Sequence, residues 1–178
     1  MNYPNKHKEI VTSLMDGRFI TVNEKLFDVI NEQENRTFYT AFFEKSFGFE
    51  LKGTHEFYYL ISDETKENTS REISIFFSIF CYELDKDGKN FLDELNYSEF
   101  SIEEITEYFK NSSWSDVIDA SKQLKDGESI RKLINSTMLK RNIVTKSING
   151  KYAFTKAYKL FIDYARDLIK EDNQEKNK

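Results

Sequence analysis

The side chains that most often carry catalysis or bind metals are scarce in this sequence. There is one cysteine, Cys81, and two histidines: His7 near one terminus and His55 in a turn-like Gly-Thr-His-Glu stretch. Together they cannot complete a four-ligand zinc site within one chain, so no metal is expected. Cys81 lies in the apolar run Ile75-Phe76-Phe77-Ser78-Ile79-Phe80-Cys81-Tyr82. It has no disulfide partner in the chain and reads as a small buried hydrophobe rather than a reactive thiol. Asp85-Lys86-Asp87-Gly88-Lys89-Asn90 resembles a calcium loop, but its glycine comes fourth where an EF-hand needs it sixth, which favours a turn between helices. There is no glycine-rich phosphate loop, no nucleophile elbow and no Cys–His pairing, and with 31 Asp and Glu residues any carboxylate pair is uninformative. The expected protein is not an enzyme and uses no cofactor.

A sharper pattern is electrostatic. Between Ser129 and Lys159 the chain carries Arg131, Lys132, Lys140, Arg141, Lys146, Lys151, Lys156 and Lys159 with no Asp or Glu, a formal +8 inside a chain of net charge −5. Duplex DNA is bound chiefly by neutralising phosphates, so an acidic chain can touch it only through a local patch. Arg131, Lys132, Lys140, Arg141, Lys146 and Lys151 are the candidate DNA contacts. Asn135 and Asn142 are the side chains nearby that suit base reading, so any binding would be weakly sequence-specific and salt-sensitive. Three readings of the block stand open: phosphate contact, contact with an acidic partner subunit or the acidic remainder of the chain, and a solvated face.

Aromatic residues supply the second pattern. Phe38, Tyr39, Phe42, Phe43 and Phe47 fall two or three to each helical turn, a wider apolar band than one small domain normally buries. Phe57-Tyr58-Tyr59 puts aromatics on both faces of one strand, and the second face must be hidden somewhere. Phe38, Tyr39, Phe42, Phe43, Phe57, Tyr58 and Tyr59 are therefore the candidate partner surface.

Composition and periodicity define the elements that must position these groups. With 39% hydrophobic and 15% aromatic residues, one Pro and six Gly, the chain should fold and be mainly helical, an α+β protein with small hairpin wings. Apolar spacing predicts a helix over Lys8–Met15 ended by Asp16-Gly17, a short strand over Arg18–Val22, a helix capped by Asn23, and another over Arg36–Phe47. Phe49–Lys52 and Phe57–Ile61 read as a hairpin. A polar linker over Ser62–Asn68 leads to a Thr69/Glu72 capping box, so the domains are expected at 1–66 and 67–178. The helix over Ser70–Leu84 is apolar on nearly every side and should be buried all round. Ser101/Glu104 is a second capping box, and Ser113 with Asp116 suggests a short capped helix. Gly127 breaks the pattern before a helix reaching Lys140. Ile143–Ile148, Asn149-Gly150 and Lys151–Phe154 predict a hairpin with a type I′ turn. Ala157–Leu168 marks a last helix, and Lys170–Lys178, without an apolar residue, is expected to fray. The segment Asp85–Phe100 fits the repeated helix, helix, hairpin order least well. Met1–Lys6 lacks an apolar signal core, and no stretch approaches the roughly 18 apolar residues of a membrane helix, so a cytoplasmic location is expected.

The order of elements, with Asp16-Gly17-Arg18-Phe19-Ile20, the hairpin Phe49–Ile61 and the block Ile130–Phe161, resembles the MukE/MksE family and the wider group of tandem winged-helix elements that bind kleisins. The resemblance covers roughly Ile10 to Leu168. It implies a homodimer that grips a kleisin-like subunit of the MukF/MksF type, which bridges the heads of an SMC-like ATPase of the MukB/MksB type in a nucleoid-associated condensin-like complex. The long acidic C-terminal extension of the MukE branch is missing, which favours the MksE or plasmid-defence branch. An alternative reading is a stand-alone winged-helix DNA-binding regulator, against which the net charge weighs. A small hydrolase or ligand-binding domain would need a pocket that no residue cluster announces.

Overall fold

Gly17, with φ +73, turns the chain out of its first helix and sets the architecture of the first half. The computed structural model describes residues 3–61 and 67–175. Helix α1 (His7–Met15), strand β1 (Ile20–Thr21), helices α2 (Lys25–Asn31) and α3 (Gln33–Phe47), and strands β2 (Glu50–Gly53) and β3 (Phe57–Ile61) follow in the expected order. Asn23 does not cap α2: it sits at φ +79 in the turn before the helix, and Glu24 occupies the cap position. The Glu24 carboxylate instead turns back, accepting bonds from Thr21 N at 2.7 Å and Thr21 Oγ1 at 2.8 Å.

The three strands form an antiparallel sheet in the order β1-β3-β2, with Ile20 opposite Tyr58 and Lys52 opposite Tyr59. Alternation along the central strand sends Tyr58 and Leu60 into the core of the first half, and Phe57 and Tyr59 into the larger core of the second. Gly53 makes this possible on the first face, because a Cβ there would collide with the Tyr58 ring. That ring is held by its hydroxyl, which donates to Asn31 Oδ1 at 2.9 Å.

The second half opens with α4 (Glu67–Lys86). Residues 62–66 of the expected linker lie outside the described residues, while Glu67 and Asn68 already belong to the helix. Thr69 is therefore inside α4 rather than at its cap, and Glu72 accepts a hydrogen bond from Ser121 Oγ instead. The helix is not buried all round. Ile73, Phe76, Phe77, Ile79, Phe80 and Leu84 are core, whereas Arg71, Ser78, Tyr82 and Asp85 form an exposed stripe at helical spacing.

Asp85–Asn90 joins two helices. Gly88, at φ +74, closes α4, and Asn90 caps α5 (Phe91–Tyr97) by accepting from Leu92 N at 3.0 Å. Helix α6 (Ile102–Lys110) has the Ser101/Glu104 capping box in full, with Glu104 N donating to Ser101 Oγ at 3.0 Å and Ser101 N to Glu104 Oε2 at 2.6 Å. The bond from Ser101 N holds the Glu104 carboxyl below the usual range. The Ser113/Asp116 cap is absent: α7 (Ser115–Ala120) has Trp114 at its cap with no side-chain bond, and Ser112 Oγ takes the Trp114 N–H at 3.1 Å. Gly127 opens rather than interrupts α8 (Gly127–Leu133), behind an Asp126 cap that accepts from Ser129 N at 2.7 Å. A π-helical turn over Ile134–Met138 continues it.

Strands β4 (Val144–Lys146) and β5 (Tyr152–Phe154) form the second hairpin, with Thr145 opposite Ala153. Its turn is not type I′. Gly150 is at φ +77, Asn149 has no positive φ, and Gly150 N donates to Ser147 O at 3.0 Å. That pattern is a tight turn over Ser147–Gly150 followed by a left-handed glycine, the three-residue hairpin loop. Phe100 pairs with Tyr152 on the outer side of β5 through two backbone bonds of 2.8 and 2.9 Å. Phe100 thus stands to the second hairpin as β1 stands to the first, and α5 precedes it as α1 precedes β1. This accounts for the segment that fitted least well. Helix α9 (Tyr158–Glu175) packs on α4 and runs past the expected Leu168, into the stretch expected to fray.

Candidate interaction site

The basic block is continuous in sequence and divided in space. Arg131 Nη2 lies 3.3 Å from Glu103 Oε1, and Lys151 Nζ lies 3.8 Å from Glu104 Oε2, so the first turn of α6 returns the acids that the linear stretch lacks. Lys159 Nζ donates to both Glu56 oxygens, at 2.5 and 2.6 Å, tying α9 to the first hairpin. Lys156 Nζ donates to Asn96 Oδ1 at 2.5 Å. Lys146 sits 5.3 Å above the Tyr152 ring, a cation–π contact. Among the described residues, Lys132 and Lys140 have no ion pair, and both are exposed. Arg141 is removed from the phosphate-contact set by half-burial in an apolar cleft, where desolvation lowers its pKa.

The two candidate base readers are spent internally. Asn135, in the π-helical turn, accepts from Tyr152 OH at 2.7 Å and donates to Arg131 O at 3.0 Å. Asn142 is 6% exposed, and its Nδ2 donates to Phe19 O at 3.0 Å, Thr21 Oγ1 at 3.2 Å and Glu24 Oε1 at 2.7 Å. Together with the Phe19 N to Arg141 O bond of 2.9 Å, this node joins the first half to the second.

Four of the seven partner-surface candidates are core. Tyr39, Phe43, Phe57 and Tyr58 are each less than 5% exposed, because the chain supplies its own cover. Phe19, from the start of the first sheet, packs its ring 5.9 Å from Phe57, 5.4 Å from Tyr59 and 5.9 Å from Phe161 of α9. The second face of β3 is thus hidden by the other half of the same chain. Phe38, Phe42 and Tyr59 remain half-buried. Phe38 and Phe42 belong to an outer aromatic row with Tyr3, Phe47 and Phe49.

His7 sits within that row, stacked 4.3 Å from Tyr3 and 5.7 Å from Tyr39. Among the described residues its buried Nδ1 has no hydrogen-bond partner, and desolvation lowers its pKa below 6.5. The unfolded chain therefore binds a proton first, and the contribution of His7 to stability should be constant above pH 6.5 and fall as pH drops from 6.5 towards the lowered folded value. The expected result is a thermal midpoint that declines over that window and a flatter profile for His7→Phe. Equal profiles would show that His7 titrates freely.

Cys81 is half-buried, and desolvation pushes its thiol up to about 12, which makes it unreactive. The cleft that holds Arg141 was not announced by any motif. It has a volume of about 660 Å³ and runs between α1, the first hairpin and α9, with walls from Leu14, Tyr59, Leu60, Leu160 and Tyr164. Residues from six separate segments of the chain meet there, so no local spacing could signal it. A second unannounced feature is the exposed pair Tyr82 and Trp114, edge to face at 5.8 Å.

Residues 5–166 match the family described as condensin complex protein MksE. The chain belongs to the MksE family. No curated protein matches it at a significant level. The MksE match covers both hairpins, the Asn142 node and every described residue that lines the cleft, so it spans both halves of the chain. It gives no support to the stand-alone regulator. Among the described residues of this MksE-family chain, no helix is long and apolar enough to cross a membrane.

Proposed function

We propose that this chain is a non-catalytic subunit of an SMC-like condensin complex of the MukBEF/MksBEF type. It is cytoplasmic and nucleoid-associated, and acts in chromosome organisation and segregation or in plasmid defence. On this reading it is a homodimer of tandem winged-helix domains, divided near residues 66 and 67, that binds a kleisin-like subunit and reaches the SMC-like ATPase through it. The observation that carries the reading is the MksE match over residues 5–166. The helices followed by a hairpin in each half support it, since in each half the hairpin's second strand pairs on its outer side with an upstream segment. Contact with duplex DNA on this reading is made to phosphates, through Lys132, Lys140 and Lys146, with Arg131 and Lys151 released from Glu103 and Glu104. So few charges imply weak, non-specific binding that salt removes.

Multi-angle light scattering on the purified chain, alone and after co-expression with the kleisin-like protein encoded beside it, tests the proposal. A dimer that moves into a stable larger complex is the expected result. A monomer indifferent to that protein would overturn it.

A further inference from the structure

We infer that the cleft between the first hairpin and α9 receives an apolar segment of the kleisin-like subunit that carries a carboxylate, and that Arg141 pairs with it. The inference rests on the assembly reading above and names where and by what chemistry the partner binds.

The cleft has the size of a site that takes a few side chains, about 660 Å³. Its floor is rigid. Phe19 and Phe161 are at most 5% exposed, and their rings lie 5.9 Å apart in an edge-to-face arrangement. Arg141 reaches this apolar space from a pinned backbone: its N–H donates to Thr137 O at 3.0 Å and its carbonyl accepts from Phe19 N at 2.9 Å. No carboxylate among the described residues lies within ion-pairing distance of its guanidinium, although the chain holds 31 Asp and Glu residues and pairs Arg18, Arg131 and Arg166 with them.

A half-buried guanidinium without a counter-charge has lost hydration and gained nothing for it. An incoming carboxylate restores the balance through a planar two-point contact. The lining also restricts what brings that carboxylate. Apolar side chains dominate the lining around Arg141, and among the described residues no other charged residue lines the cleft. A nucleic-acid backbone would bring several phosphates to one cation and bury none of the apolar wall, whereas an acidic residue flanked by apolar ones satisfies both surfaces.

The test titrates the kleisin-like subunit into the full chain and into Arg141→Gln, Arg141→Lys and Tyr164→Glu variants by calorimetry, with melting and light scattering of each chain alone. The expected result is a loss of affinity of about tenfold or more for Arg141→Gln and for Tyr164→Glu, a smaller loss for Arg141→Lys, and unchanged melting and mass for the arginine variants. If the wild-type chain binds and Arg141→Gln binds equally well, the cleft inference is overturned while the assembly reading stands. If the wild-type chain does not bind, the assembly reading fails and takes this inference with it. If Arg141→Gln alters the mass of the chain alone and leaves partner affinity unchanged, the occupant is a second copy and the inference is wrong.

Discussion

Replacing Asn142 with alanine is expected to cost about 2–4 kcal/mol of folding free energy. The estimate has two parts. The amide shares its donors among Phe19 O, Thr21 Oγ1 and Glu24 Oε1, all in the first half of the chain, so truncation removes three of the polar contacts between the halves and leaves the Phe19 N to Arg141 O bond and the Lys159–Glu56 pair. Asn142 also sits at φ +58, a region asparagine tolerates and alanine resists by roughly 1 kcal/mol. The loss is limited because Glu24 keeps its bonds to Arg18 at 2.6 Å and to Thr21. Asn142→Gly separates the two parts: it removes the amide but not the backbone freedom, and should be about 1 kcal/mol less harmful than alanine. Urea denaturation of the three proteins measures this. An alanine variant within about 0.5 kcal/mol of wild type would show that the node does not hold the halves together. If it does hold them, the same variant should loosen the cleft, since Phe19 is hydrogen-bonded on one side to Asn142 and on the other to Arg141.

Phe76→Ala should be the more damaging change, costing about 3–5 kcal/mol. The ring is fully buried on α4 and lies 5.0 Å from Phe109 of α6, 5.4 Å from Phe77, 5.7 Å from Phe80 and 6.3 Å from Phe154 of the second hairpin. Three elements with their own backbone bonding surround the cavity, so it can collapse little, and the loss should fall at the upper end for a phenylalanine. Phe76→Leu should recover most of the stability by refilling the volume. A loss below about 1 kcal/mol for alanine, read from the denaturation midpoint at unchanged slope, would mean that the core repacks freely.

How much was legible in the sequence depended on how local the cause was. The Ser101/Glu104 box closed as expected, because both of its bonds lie within four residues. The caps at Asn23, Thr69 and Ser113 did not form, although the residue types were right. Asn23 went into the turn before α2, α4 began two residues ahead of Thr69, and Trp114 rather than Ser113 took the cap position of α7, its amide bonded to Ser112. A cap is a competition among neighbouring donors and acceptors, and tertiary packing chooses the winner. The hairpin at Asn149-Gly150 was located correctly and typed wrongly, because the turn type follows the register of the flanking strands.

By itself, the sequence determined the order of elements outside Asp85–Phe100, the two hairpins, the mainly helical α+β class and a family resemblance that the MksE match bears out. These follow from period, breakers and composition, which are properties of neighbouring residues. Only the tertiary structure decided what the charges and aromatics do. The acid-free basic block meets Glu103 and Glu104 across space, Lys159 is taken by Glu56, and the two-faced strand β3 is covered by the chain's own second half. The same packing leaves Arg141 in an apolar cleft assembled from distant segments. Charge and apolar surface act through distance in space, and a linear pattern carries no information about which distant residue will arrive to neutralise or cover them.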